Sequence, residues 1–197
     1  MNTSSIETPD WSKLPSPQDD GAAAHLAGMR LAAHSLPATN GSHVDFSALK
    51  GLTVVFVYPR MGKPGEPNPD GWDLIPGARG CTPQACAYRD LYEELRTRGV
   101  EHLFGLSSQD TVRQQEAVER LHLPFPLVSD RQLLLATAMR FPIFQTSGET
   151  LYKRLTLVVR EGVIECVFYP VFPPDQDAKN VAAWLDRRAA QDGSFHR

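Results

Sequence analysis

The chain has 197 residues, a formal charge of 20 − 23 = −3 and an apolar fraction of 42%, values ordinary for a single globular domain with a sizeable core. That charge balance leaves no electrostatic footprint for nucleic acid, and no apolar run approaches the roughly 20 residues of a membrane helix. Three cysteines are too few for a disulfide framework; in a reducing compartment a close pair points to chemistry or metal rather than to a structural staple.

Met1 to Asp20 lacks both the basic start and the apolar stretch of a secretory signal, so a cytoplasmic location is expected. Residues 1–28 are polar, small and interrupted by proline. They can bury little, which predicts a flexible N-terminal extension, a tail or a clamp over the surface, ahead of a domain spanning 29–191. A short helix is expected over Ala22 to Leu26.

Leu31 to Phe46 predicts an N-terminal β-hairpin, with Thr39-Asn40-Gly41-Ser42 as its turn. Leu52 to Tyr58 is a near-continuous apolar, β-branched run bounded by Gly51 and Pro59. Such a run reads as a strand buried on both faces of a sheet. Pro59 to Gly80 is rich in proline and glycine and longer than an ordinary strand-to-helix connection. Function in α/β folds gathers on such loops at the C-terminal ends of strands.

A helix is predicted from Thr82 to Arg98, with Pro83 in its first turn and Gly99 as its stop. Strands over 102–106 and 124–130 flank a helix ending near Leu121, capped by Ser107 to Thr111. A short helix covers 133–139. Strands 154–159 and 163–168 form a hairpin, and a final helix runs over 178–188. The order β, α, β, α, β, then a β-hairpin and a last helix, describes an α/β thioredoxin-like fold, a central mixed sheet flanked by helices.

Cys81 and Cys86 sit where the long loop meets the first long helix. A helix N-terminus carries unpaired N–H groups and positive partial charge. Both favour a thiolate, the nucleophilic form of cysteine. Arg79 stands two residues away, and Gly80 lets backbone come close to a small ligand. Cys86, five residues on, lies about 140° around an intact helix and about 7.5 Å along it. A disulfide tolerates a Cα separation of about 7 Å at most. Either the pair never bonds, or the first turn unwinds when it does. Taken alone, Cys86 reads more readily as a small buried apolar residue than as a reactive thiol, and Cys166, on an alternating strand, reads as core. No histidine pair falls at metal-ligand spacing.

Val57-Tyr58-Pro59-Arg60, Gly80-Cys81-Thr82-Pro83-Gln84-Ala85-Cys86 and Arg89-Asp90 resemble the peroxiredoxins, above all the bacterioferritin-comigratory, or Q-type, group. Gly105 to Asp110, Leu123 to Asp130 and Arg154 to Val159 resemble further segments of that family in the same order. The resemblance implies a thiol peroxidase in which Cys81 is the peroxidatic cysteine and Cys86 resolves it. It implies that Arg154 polarises the peroxide and that Pro59 shields the site, with Gly80 and Thr82 as its scaffold. Hydrogen peroxide or organic hydroperoxides would be the substrates and thioredoxin or a similar dithiol the reductant. No metal, haem or flavin cofactor, nucleic acid or membrane is implied, and the chain would be a monomer or homodimer. Two departures stand out. Ala78 occupies a position where the family usually has threonine or serine, and an insertion separates Arg60 from Pro76, leaving Pro59 and Pro76 as alternatives for the shielding proline. The insertion has three readings: a pocket wall built by Trp72 and Pro76, a partner-docking surface, or a decorated loop with no catalytic role. The missing hydroxyl at 78 motivates a second reading, a non-turnover redox sensor or thiol-exchange binding module on the same fold.

Overall fold

The computed structural model describes residues 9–191 and Gly193. Residues 1–8, where the expected N-terminal extension begins, lie outside the described residues. Three short pieces precede the main sheet. Trp11–Lys13 form a 3-10 turn capped by Asp10, whose carboxylate accepts from the Ser12 N–H at 3.2 Å. Residues 22–25 form turns rather than the predicted helix, yet Ala23 and Leu26 are fully buried. The predicted hairpin is present with strands of two residues each, β1 (Leu36–Pro37) and β2 (His43–Val44), paired antiparallel.

The main sheet has five strands in the order β5-β4-β3-β8-β9. Its centre is β3 (Leu52–Val57), every residue of which is buried. On one side β3 pairs in parallel with β4 (Val100–Ser107), which pairs in parallel with β5 (Leu127–Ser129). On the other it pairs antiparallel with β8 (Leu155–Arg160), which pairs antiparallel with β9 (Val163–Phe168). The parallel half needs crossover helices and the antiparallel half closes with the Glu161-Gly162 turn; this is the mixed sheet of a thioredoxin-like fold.

Side chains alternate across β3, so the strand feeds two cores. Val54 and Phe56 pack beneath α1 (Cys81–Asp90), α3 (Thr111–Leu121) and α5 (Asp177–Gln191). Val55 and Val57 pack on the opposite face with Leu26, Phe46 and α4 (Leu134–Met139). Phe56 stacks on Tyr88 of α1 with ring centroids 4.6 Å apart and planes 11° apart, a contact that adds about 0.5–1.5 kcal/mol to simple burial.

The predicted continuous helix over 82–98 is two helices. α1 ends at Asp90, Leu91 leaves helical geometry (φ −99°, ψ 8°), and α2 (Tyr92–Thr97) restarts the turn. Between α4 and β8 lies a hairpin absent from the sequence reading, β6 (Ile143–Thr146) and β7 (Glu149–Tyr152). The long loop at 60–80 contains one 3-10 turn, Trp72–Leu74, and is pinned to α3. Arg120 donates to the Gly62 carbonyl at 3.0 Å, Arg113 pairs with Glu66 at 2.5 Å, and the Gln109 amide exchanges two hydrogen bonds with the Met61 backbone.

Candidate active site

Gly80 opens α1 with a left-handed backbone (φ +102°), a conformation that costs any residue with a Cβ. A Cβ there would also strike Pro174 and Trp11. The absent side chain thus makes room for protein rather than for a ligand. The 3-10 turn at Pro174–Gln176 and the arm carrying Trp11 close over the start of α1, and Trp11 meets Phe172 edge-on with ring centroids 6.0 Å apart.

Cys81 is the first residue of α1 and only 3% exposed. It faces a cavity of about 230 Å³ walled by Arg60, Gly62, Asn68 and Trp72 from the long loop, and by Ala78 to Pro83 around the helix start. The insertion therefore forms one wall, with Trp72 in it. Pro76 lines a separate cavity with Phe144 and Tyr169. Pro59, at the end of β3, is buried and does not line the Cys81 cavity. Thr82 does.

Arg154 directly precedes β8, and the sheet register carries it to the cysteine. Its Nη2 donates to Cys81 Sγ at 3.2 Å and to the carbonyls of Gly77, Ala78 and Arg79 at 3.2, 3.2 and 3.1 Å. One buried cation thereby orders the loop before the helix and places a donor against the sulfur. Ala78 is turned into a small apolar cluster with Trp72 and Leu151. Its carbonyl lies 3.7 Å from Cys81 Sγ, and the residue lines the same cavity.

Behind Arg154 lies a buried polar network that sequence reasoning missed. Arg154 Nη1 donates to Gln84 Oε1. Gln84 Nε2 donates to Asp177 Oδ2 at 2.7 Å, which also accepts from Thr156 Oγ1 at 2.7 Å and Tyr88 Oη at 2.9 Å. All four are buried. Burial pushes the Asp177 carboxyl up from the usual carboxylate range, against the opposing pull of those three hydrogen bonds. Gln84 and Tyr88 are one helical turn apart, a spacing visible in sequence; Asp177 lies 93 residues from Gln84 and only the fold unites them.

Cys86 is buried in the middle of α1, on the core side, with a free thiol, as have Cys81 and Cys166. Burial pushes the Cys86 thiol up, against a smaller pull from Arg89. With α1 intact, the structure does not bring Cys86 to Cys81, for about 7.5 Å of helical rise separates them.

A cysteine at the first position of a helix, faced by an arginine just ahead of a sheet strand within a thioredoxin-like fold, defines a thiol-based redox protein. The redoxin family model matches residues 26–185, and the chain belongs to that family. Within it the chain is similar to the peroxiredoxin Q of Triticum aestivum chloroplasts, 27% identical over 169 residues, which are 82% of this chain and 70% of that protein. It is 32% identical over 139 residues to the chloroplastic peroxiredoxin Q of Oryza sativa subsp. japonica, 70% of this chain and 56% of the relative; the chain thus spans little more than half the length of that protein. Among solved structures it is similar to the peroxidoxin BcpB of Mycobacterium tuberculosis, with a TM-score of 0.65 and 25% identity over 82% of this chain and 96% of that one. Its kinship is with peroxiredoxins, a class of thiol peroxidase enzymes, as the motif around Cys81 indicated. Among the described residues no helix is long and apolar enough to cross a membrane.

Proposed function

We propose that the chain reduces hydrogen peroxide or organic hydroperoxides through Cys81. The observation that carries this is the Arg154 Nη2 to Cys81 Sγ contact of 3.2 Å at the start of α1, beside a cavity of about 230 Å³. The Cys81 thiolate attacks one peroxide oxygen and the O–O bond breaks. That oxygen stays on sulfur as a sulfenic acid, and the other leaves with a proton as water or alcohol. Arg154 donates to the sulfur before attack and to the leaving oxygen during it. Thr82 supplies a hydroxyl to the same cavity, and Gly80 permits the turn that presents Cys81.

Cys86 then attacks the oxidised sulfur, an S–S bond forms and water departs. Because α1 holds the two sulfurs apart, this step requires its first turns to unwind. Thioredoxin or a similar dithiol donates two electrons and two protons to restore both thiols and becomes a disulfide itself. A reducing compartment such as the cytoplasm suits this cycle.

A steady-state assay with thioredoxin, its reductase and hydrogen peroxide tests the reading. The wild type is expected to turn over and Cys81→Ser is not. Equal, slow peroxide consumption by both would end the peroxidase proposal. Stoichiometric oxidation of Cys81 without turnover would favour a redox sensor, a reading that the burial of both cysteines also accommodates.

A further inference from the structure

We propose that Asp177 is a positioning residue for the Cys81 reaction, acting through Gln84 to hold the Arg154 guanidinium against the sulfur. The inference rests on the peroxidase reading above.

An amide has a donor end and an acceptor end, and its neighbours decide which way it faces. An ionised carboxylate only accepts and a guanidinium only donates. Asp177 Oδ2, taking the Gln84 Nε2 hydrogen bond at 2.7 Å, leaves Gln84 Oε1 toward Arg154 Nη1. Turned over, Gln84 would set its NH2 against the guanidinium and its oxygen against the carboxylate. The guanidinium is planar and rigid, so fixing Nη1 fixes the plane in which Nη2 reaches Sγ.

Asp177 is itself well placed to anchor this arrangement. Tyr88 ties it to α1, which carries the cysteine, and Thr156 ties it to β8, just after Arg154. Three elements meet on one carboxylate oxygen. The burial that pushes the carboxyl up also means that a carboxylate here is held at a cost in stability, which the plain task of starting α5 does not require.

The test uses the full chain in single-turnover oxidation of Cys81 by hydrogen peroxide and in alkylation of Cys81 by iodoacetamide, both at pH 7, with thermal unfolding as a control. Asp177→Asn should slow peroxide attack about tenfold through a loosened Arg154, and should slow alkylation as well. The double variant Asp177→Asn with Gln84→Glu moves the carboxylate one residue toward Arg154. The Asn amide donates to the new carboxylate, whose other oxygen accepts from Arg154. Its attack rate should return to within about threefold of wild type, a coupling that a merely structural aspartate would not produce. Asp177→Asn reacting at the wild-type rate, or a folded double variant as slow as the single, overturns the proposal. Should Asp177→Asn fail to fold, the double variant decides alone. A wild type inert to peroxide would instead overturn the peroxidase reading, and the alkylation rates would then decide this one.

Discussion

Removing the Arg154 side chain should separate the proposed catalytic job of this guanidinium from its hold on the loop before α1. In Arg154→Ala, Cys81 Sγ loses a charged donor at 3.2 Å. A hydrogen bond involving a charged group is worth about 1.5–3 kcal/mol. At about 1.4 kcal/mol per factor of ten, peroxide attack should slow by about 10- to 150-fold if the contact is made fully in the transition state. The same nitrogen serves three carbonyls, those of Gly77, Ala78 and Arg79. Two N–H groups are shared among four acceptors, so the bonds are partial, and the loss to folding should be about 2–4 kcal/mol. Stopped-flow measurement of Cys81 oxidation under single turnover reads the first quantity, and urea unfolding of the reduced protein reads the second. An attack rate within about twofold of wild type, in a variant that has lost the expected stability, would show that Arg154 only staples the loop.

Cys86→Ser should leave the first peroxide attack unchanged and accumulate a Cys81 sulfenic acid, seen by mass as the gain of one oxygen; the wild type should lose two hydrogens. Gly80→Ala should destabilise the reduced protein by at least about 1–2 kcal/mol, from its left-handed backbone and from the collision with Pro174 and Trp11, as measured by urea unfolding. Asp177 gives a pH dependence whose sign follows from its raised pKa. The folded state binds this proton more readily than the unfolded one, so the contribution to stability is present below the ordinary value of 3.8 and lost as pH rises through the folded value. Melting of wild type and Asp177→Asn from pH 3.5 upward, at about half-unit steps, should therefore show the variant gaining on the wild type as pH rises; a constant gap would contradict it.

The sheet was legible where one residue type dominated. Leu52–Val57 announces a central strand because both of its faces are covered, and Gly80 followed by Cys81-Thr82-Pro83 announces a helix start. The break at Leu91 was not legible, because Ala85, Tyr88, Leu91 and Leu95 keep helical spacing straight across it. The hairpin β6–β7 escaped because Ile143 and Gln145 face solvent, which leaves a weak apolar pattern, and because Ser147 takes a positive φ (48°) before Gly148. In the site, Cys81 and Arg154 were legible by motif. The hold of Arg154 on the loop was not, since it depends on carbonyls that carry no sequence signal. Gln84 and Asp177 are residue types that are mostly exposed, whereas Tyr88 and Thr156 already sit in a predicted helix stripe and strand. They are inside because each satisfies another. Ala78 suggested a missing catalytic hydroxyl; the position packs with Trp72 and Leu151 and also lines the Cys81 cavity, so the fold leaves it beside the sulfur without a hydroxyl.

The grip of Arg154 on three successive carbonyls has a mechanical meaning. Residues 77–79 are bolted through their carbonyls to the residue that leads into β8, whereas α1 is held through side chains, from Cys81 to Tyr88. The joint between the fixed loop and the helix is Gly80. In the proposed cycle the turns of α1 beyond that joint would unwind to bring Cys81 to Cys86, while Arg154 would keep its hold on residues 77–79. Recovery of the two thiols in that cycle would then need only the start of α1 to wind again beside a loop already held in place.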